Sequence, residues 1–195
     1  MEIRYITPFS ADRNKLGYPN IGGEYNKCIA ELPDDCYVCI RDGDTMFLTP
    51  DWGEHIKSII EDNPTFDLIT CTTNRVGLKH HCCGEHFYNS PDITEHIMHA
   101  HKLKESFGNK VYSGSKNYPI TVAPGYFMLF HKSLWTKVGG FPEFDITFDR
   151  VFSDKVLKSG GKIGIADGIY IFHLYRWGKD NPQNDIKHLR KRIKG

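Results

Sequence analysis

Asp42-Gly43-Asp44 ends a short apolar run, Tyr37-Val38-Cys39-Ile40, after a single intervening Arg41. Carboxylates at i and i+2 of an extended chain point to the same side. Hard anionic oxygens so placed can hold a divalent cation. Gly43 lets the backbone turn and lets a bulky ligand come close. The same residues also fit a tight Asp-Gly turn closing a hairpin.

Other residues could join such a site. Asn74-Arg75 follows the apolar run Leu68 to Thr73. A guanidinium fork there suits phosphate or sugar hydroxyls, and the ends of strands in open α/β sheets are where ligands bind. A surface salt bridge is the alternative. Arg176 and Lys179 flank Gly178 in Tyr175-Arg176-Trp177-Gly178-Lys179 and could close over a diphosphate as a flap. The stretch His80-His81-Cys82-Cys83-Gly84-Glu85-His86, with His96, His99 and His101, invites a zinc reading. Its spacing opposes one, because it contains no Cys-x-x-Cys pair and adjacent ligands strain a tetrahedron. A loop lining a cleft fits it better.

The surrounding pattern predicts alternating strands and helices. Strands are expected at Ile3 to Thr7, Cys36 to Ile40 and Phe66 to Thr72, and two late ones at Lys162 to Ile165 and Ile169 to Phe172. Apolar spacing predicts helices over Gly23 to Leu32, Asp51 to Ile60, Asp92 to Phe107, Lys132 to Val138 and Phe148 to Ser159. Short links between them imply an α/β domain with a Rossmann-like, mostly parallel sheet flanked by helices. Residues 1–195 read as a single domain with a basic tail from about residue 183.

Composition narrows the class. The net charge is +1, with 39% hydrophobic and 13% aromatic residues, as in a globular protein with no global pull toward nucleic acid. No apolar run reaches membrane-spanning length. Met1-Glu2-Ile3-Arg4-Tyr5 lacks the apolar stretch of a secretion signal. The six cysteines therefore suggest reduced thiols and a cytoplasmic setting. The tail Lys187-His188-Leu189-Arg190-Lys191-Arg192-Ile193-Lys194 could touch an anionic membrane face.

The order of motifs resembles the GT-A-fold glycosyltransferases, family 2-like. Ile6-Thr7-Pro8 resembles the first nucleotide-side strand, and Gly22-Gly23-Glu24-Tyr25-Asn26 the Gly-rich helix start with its asparagine. Asp42-Gly43-Asp44 resembles the Asp-x-Asp metal motif. Val138-Gly139-Gly140-Phe141-Pro142-Glu143 resembles the acceptor-side segment, and Phe148-Asp149 with the later His173 resembles the Glu-Asp helix and late histidine. The chain departs from the family between Phe9 and Asn20, where the loop is too short for an additional strand and helix. The nucleotide base must then be held differently.

The resemblance implies transfer of a sugar, of the hexosyl type, from a UDP-linked or other nucleotide sugar to a hydroxyl on a glycan, lipid-linked sugar or protein, with inversion. It implies Mn²⁺, or Mg²⁺, held by Asp44, Asp42 and His173, with Asp42 also able to reach the ribose. Carboxylate plus imidazole favours manganese. Thr7, Pro8, Asn26, Asn74, Arg75, Arg176 and Lys179 would bind the donor. Asp149 at a helix start would take the acceptor proton, with Asp145 as the alternative base. Two rival classes remain: a Cys/His-rich nucleic-acid-binding module, and a nucleotidyltransferase that would release pyrophosphate.

Overall fold

The structure is a computed structural model that describes residues 1–82, 88–114 and 119–175. Strands β1 (Ile3–Ile6) and β2 (Tyr37–Ile40) run parallel, Ile6 opposite Ile40. Pro8 cannot donate to a ladder, so β1 stops short of it. Strand β6 (Met128–His131) lies antiparallel between β2 and β4 (Leu68–Thr73). β4 is parallel to the long β7 (Ile163–His173). The far edge of β7 takes β5 (Val111–Tyr112) early and β3 (Thr45–Phe47) late, both antiparallel.

The sheet is therefore mixed, with the order β1-β2-β6-β4-β7-β3, rather than mostly parallel. The expectation fails for a definite reason. β1, β2, β4 and β7 do point the same way, as alternating strands and helices imply. β6 intrudes between β2 and β4, so each of them pairs with it antiparallel. The two expected late strands are one strand. A bulge after Cys71 lets Ala166 and then Tyr170 pair with consecutive β4 residues, carrying Asp167-Gly168-Ile169 past without a break. Strands β3 and β5, three and two residues long, carry too short a pattern to be read from the sequence.

Helices cover both faces. α1 (Ile21–Ala30), α4 (Lys132–Val138) and α5 (Phe148–Lys158) bury Tyr25, Ile29, Leu134, Phe152 and Val156 in one core with Val38, Ile40 and Phe130. α2 (Trp52–Asp62) brings Ile56, Ile59 and Ile60 to the opposite core with Cys39, Ile69 and Leu129. Each such side chain contributes roughly 1.5–3 kcal/mol by leaving water. α3 (Ile93–Phe107) packs Ala100 and Leu103 on Tyr170 of β7. The sheet curls, because Tyr5 of β1 meets Phe47 of β3 at 6.3 Å and Trp52 at 5.2 Å between ring centroids. No helix among the described residues is long and apolar enough to cross a membrane.

Three asparagines fasten the segment between α4 and α5 to α1 and to the loop before it. Asn20 caps α1 by accepting from the Gly23 amide at 3.1 Å, and accepts from the Phe144 amide at 3.0 Å. Asn26 donates to Phe141 O and accepts from the Phe141 amide and Trp135 Nε1, each at 2.9 Å. Asn14 donates to Phe144 O at 3.4 Å. Gly22 completes the joint, since a Cβ there would lie 1.9 Å from Pro142 O. Gly22 thus serves close packing of the helix start against residues 141–142, while Gly23 leaves room for the Asn20 side chain, which a Cβ there would meet at 2.3 Å. Gly22→Ala should cost about 1–3 kcal/mol of stability through this clash with backbone. Urea unfolding checks it, and an unchanged midpoint would show that the joint is looser than described.

Candidate metal centre

The four co-directed strands bring their C-terminal ends to one edge, and the candidate residues collect there. β2 delivers Asp42-Gly43-Asp44, which crosses that edge to begin β3. β3 lies on β7, with Thr45 opposite His173. The Leu174 amide donates to Asp44 O at 3.0 Å, so the start of β3 and the end of β7 are stitched together. Thr45 Oγ1 donates to Asp42 O at 2.7 Å and closes the turn. Gly43 is not among the positive-φ glycines, and a Cβ there would make only an ordinary 3.7 Å contact with Thr7. Its value is open space above the turn rather than a special backbone conformation.

His173 Nε2 lies 3.3 Å from Asp44 Oδ1 and 3.8 Å from Asp42 Oδ2. One ligand atom from each of the three residues falls within 4.8 Å of the others, the one such His/Cys/Asp/Glu group among the described residues. The imidazole is buried, while the carboxylates are partly open to solvent. Its other nitrogen, Nδ1, lies 3.0 Å from Arg75 O. A carbonyl can only accept, so Nδ1 carries the hydrogen. In the neutral ring, Nε2 then presents its lone pair to two carboxylates. Three electron-rich groups converge, and a cation between them, a second ring proton or a divalent metal, resolves the repulsion. A carbonyl behind a histidine is also the arrangement that orients an imidazole toward a metal.

The residues after β4 do a different job from the one expected. Asn74 is buried, and its Oδ1 accepts from the His173 amide at 2.7 Å. Arg75 is also buried, its guanidinium donating to Tyr175 O at 3.0 Å and to Asn89 Oδ1. The Arg75 guanidinium is engaged by the chain itself, while Asn74 Nδ2 is buried with no hydrogen-bond partner among the described residues. Together they hold the end of β7 in place and aim the histidine. Asn26, expected beside the donor, is committed to the 135–141 segment. Thr7 sits at the edge beside Gly43, its Oγ1 accepting from Arg41 Nε at 3.2 Å, and Pro8 follows it, half-buried. Arg176, Lys179 and the basic tail lie outside the described residues.

Asp149 stands in the first turn of α5, close to the carboxylate pair. The Gly125 amide donates to its Oδ2 at 3.1 Å and the Arg150 amide to Oδ1 at 2.7 Å. Gly125 separates it from Asp42, since a Cβ on Gly125 would lie 3.8 Å from Asp42 Oδ1 and 2.7 Å from the Phe148 ring. Asp145 instead accepts from the Thr147 amide at 2.7 Å and the Thr147 hydroxyl at 2.8 Å, the bonds of a local turn. Sequence reasoning missed Tyr25, a buried phenol near Asp42 and Asp149; its place in the helical apolar pattern gave no other signal.

The charges are set unevenly. Burial pushes the Asp42 carboxyl up to about 6; His173 pulls it down, and Asp44 and Asp149 push it further up. Asp44 is held below the usual carboxylate range by the hydrogen bond it accepts from His173 Nε2 when the ring carries its second proton. Burial raises Asp149, opposed by the amides of Arg150 and Gly125.

The Cys/His stretch does not gather a site among the described residues. His96 is buried between the Tyr170 hydroxyl at 2.7 Å and Ser90 O at 2.9 Å. His81 is buried, with burial pushing its imidazole down to about 3. Cys83 to His86 lie outside the described residues. Cys28, Cys36, Cys39 and Cys71 are free thiols.

No protein-family model and no curated protein matches the chain. Among solved structures, it is similar to the mannosyltransferase PcManGT from Pyrobaculum calidifontis, in complex with GDP-Man and Mn²⁺. The identity is 16% and the TM-score 0.47, covering 89% of this chain and 44% of that one. The chain thus spans less than half the length of that protein.

Two outcomes follow from this geometry. A metal must displace the proton of Asp42, whose raised value lies near 6, so Mn²⁺-induced thermal stabilisation should grow from pH 5 to pH 7. In the metal-free protein the same group has the opposite sign. The fold holds a proton that the unfolded chain has released, so its contribution is present below the ordinary carboxylate range and is lost as pH rises through about 6. A Mn²⁺ shift independent of pH across this window would remove Asp42 from the ligand set. Asn74→Ala frees the His173 amide and should weaken Mn²⁺ binding by about 10–100-fold, as loss of an outer support does. Electron paramagnetic resonance of free Mn²⁺ measures it.

Proposed function

We propose that the chain is a metal-dependent glycosyltransferase acting on a nucleoside diphosphate sugar. The observation that carries this reading is the convergence of Asp42, Asp44 and a tautomer-fixed His173 on one point at an open strand edge. Mixed oxygen and nitrogen donors suit Mn²⁺ better than Mg²⁺, which prefers oxygen alone. A bound Mn²⁺ would supply Lewis-acid neutralisation of the departing diphosphate. Asp44, the more exposed carboxylate, and His173 are its direct ligands, with Asp42 completing the set.

Asp149 takes the proton of the acceptor hydroxyl. Its carboxylate is fixed by two amides, lies one glycine away from Asp42, and has its basicity raised by burial. A base acting from the far side of the reacting carbon from the diphosphate would give inversion. Asp145 is the weaker candidate, because its Oδ1 already holds Thr147.

Calorimetry with a nucleoside diphosphate tests the metal assignment. Asp44→Ala should abolish Mn²⁺-dependent binding in a protein that still unfolds cooperatively. Retained Mn²⁺-dependent affinity would sink the assignment. Asp149→Asn should keep donor binding while transfer, or donor hydrolysis in the absence of an acceptor, falls by about 10²–10⁴-fold. The product separates the rival chemistry, since release of pyrophosphate instead of a nucleoside diphosphate would mark a nucleotidyltransferase.

A further inference from the structure

Exposed apolar side chains line the seam where α3 meets the ends of β3 and β7. Leu48, just past β3, packs with Ala100 and Leu103 of α3, and Lys104 Nζ donates to Pro50 O at 2.9 Å. The two elements therefore run side by side in the same direction. Two residues back along β3 and one turn back along α3 each cover about 6 Å, which sets Met46 beside Ile97. Met46 lies opposite Phe172 in the ladder, and the Phe172 ring meets His96 of α3 at 4.7 Å between centroids. Successive residues of an extended chain alternate faces, so Leu174 shares this side while His173 turns to the metal group. Ile93, one turn before Ile97, extends the row. Met46 is 52% exposed, Leu174 47%, Ile93 41% and Ile97 38%.

Charge is arranged around this row. On α3 the flank of Ile93 and Ile97 continues through exposed His101 to Lys104. The acids at the start of α3 are occupied: Glu95 accepts from the Tyr88 hydroxyl at 2.9 Å on the other flank, beside His99, and Asp92 caps the helix through the Thr94 amide at 2.8 Å. Beyond Leu174 and Tyr175 the chain continues into residues 176–195, which carry seven Lys or Arg against two Asp. Apolar side chains bordered by cations match an anionic bilayer, whose acyl boundary takes the first and whose headgroups attract the second. A second copy on the same face would bring two such basic segments together, like charge against like.

We propose that Met46, Ile93, Ile97 and Leu174 dock the protein on an anionic bilayer, with the basic residues after Tyr175 supplying the electrostatic hold. Asp44 stands two residues, at most about 7 Å of chain, before Met46, so the docked protein keeps the candidate metal centre beside the lipid surface. The proposal is independent of the metal reading, which the nucleoside diphosphate titration tests separately.

The test sediments the full chain with phosphatidylcholine vesicles, with and without phosphatidylglycerol. The chain should partition onto the anionic vesicles and not the neutral ones, and should come off as salt screens the attraction. Met46→Glu and Ile97→Glu should each lower the partition about 10-fold, the loss of one partly buried apolar side chain. Arg190→Gln, Lys191→Gln and Arg192→Gln combined should lower it about 100-fold, near 5-fold per cation. An unchanged urea midpoint shows that a glutamate variant folds, and Leu174→Glu stands in for one that does not. No partition of the full chain onto anionic vesicles overturns the proposal. Partition that falls with the glutamine variant but ignores the glutamates marks a purely electrostatic contact and overturns the apolar surface. A dimer that the glutamate variants dissociate identifies a second copy as the occupant and overturns the lipid assignment.

Discussion

The hold of β4 on the end of β7 is the constraint on which the site depends. β7 is 11 residues long, and its last residue is the only buried member of the metal group. A histidine at a strand end would ordinarily be free to rotate into solvent. Here the amide is taken by Asn74 Oδ1 and the ring Nδ1 by Arg75 O. The Arg75 side chain then secures Tyr175 O, one step past the strand. One dipeptide thus fixes the backbone, the tautomer and the exit direction of the chain. Breaking a buried bond of this kind leaves a desolvated group unsatisfied, at about 1–3 kcal/mol, so the alternative rotamers of His173 are suppressed.

That rigidity matters because the other two candidate ligands are less constrained. Asp42 and Asp44 sit on a turn, partly open to solvent, and are aligned by one hydroxyl bond and by the stitch between Leu174 and Asp44. The electrostatics fit the division. The buried imidazole is the fixed point, Asp44 is ionised against it, and Asp42 keeps a proton to higher pH until a stronger cation arrives.

The second carboxylate region is built from the other side of the molecule. The asparagine clamp on residues 140–144 sets where α5 begins, and hence where Asp149 stands. Phe144 takes a left-handed backbone conformation, φ 52°, which its bonds to Asn20 and Asn14 hold. Gly125 then brings a backbone amide between Asp149 and Asp42, a place that no side chain could share with the Phe148 ring. The distance between Asp149 and the Asp42–Asp44 turn is thus set by the packing of α5 against the loop that carries Gly125.

The sequence by itself determined the elements with strong local signals. α4 begins and ends where Lys132 to Val138 and Gly139-Gly140 place it, and β2 leads into Asp42-Gly43-Asp44, because apolar period and turn chemistry are local properties. The meeting of Asp42 and Asp44 with His173 was legible only through resemblance, since nothing local links residues about 130 positions apart. Of the pairing, only the shared direction of β1, β2, β4 and β7 was legible. Whether β6 enters antiparallel, and whether Ile163 to His173 is one strand or two, depends on which neighbour offers a ladder. The tasks of Asn26, Asn74 and Arg75 were decided in the same way. A polar side chain looks ligand-ready in a sequence, and only tertiary burial reveals which of its hydrogen bonds the chain itself has taken, for Asn74 those of the oxygen alone.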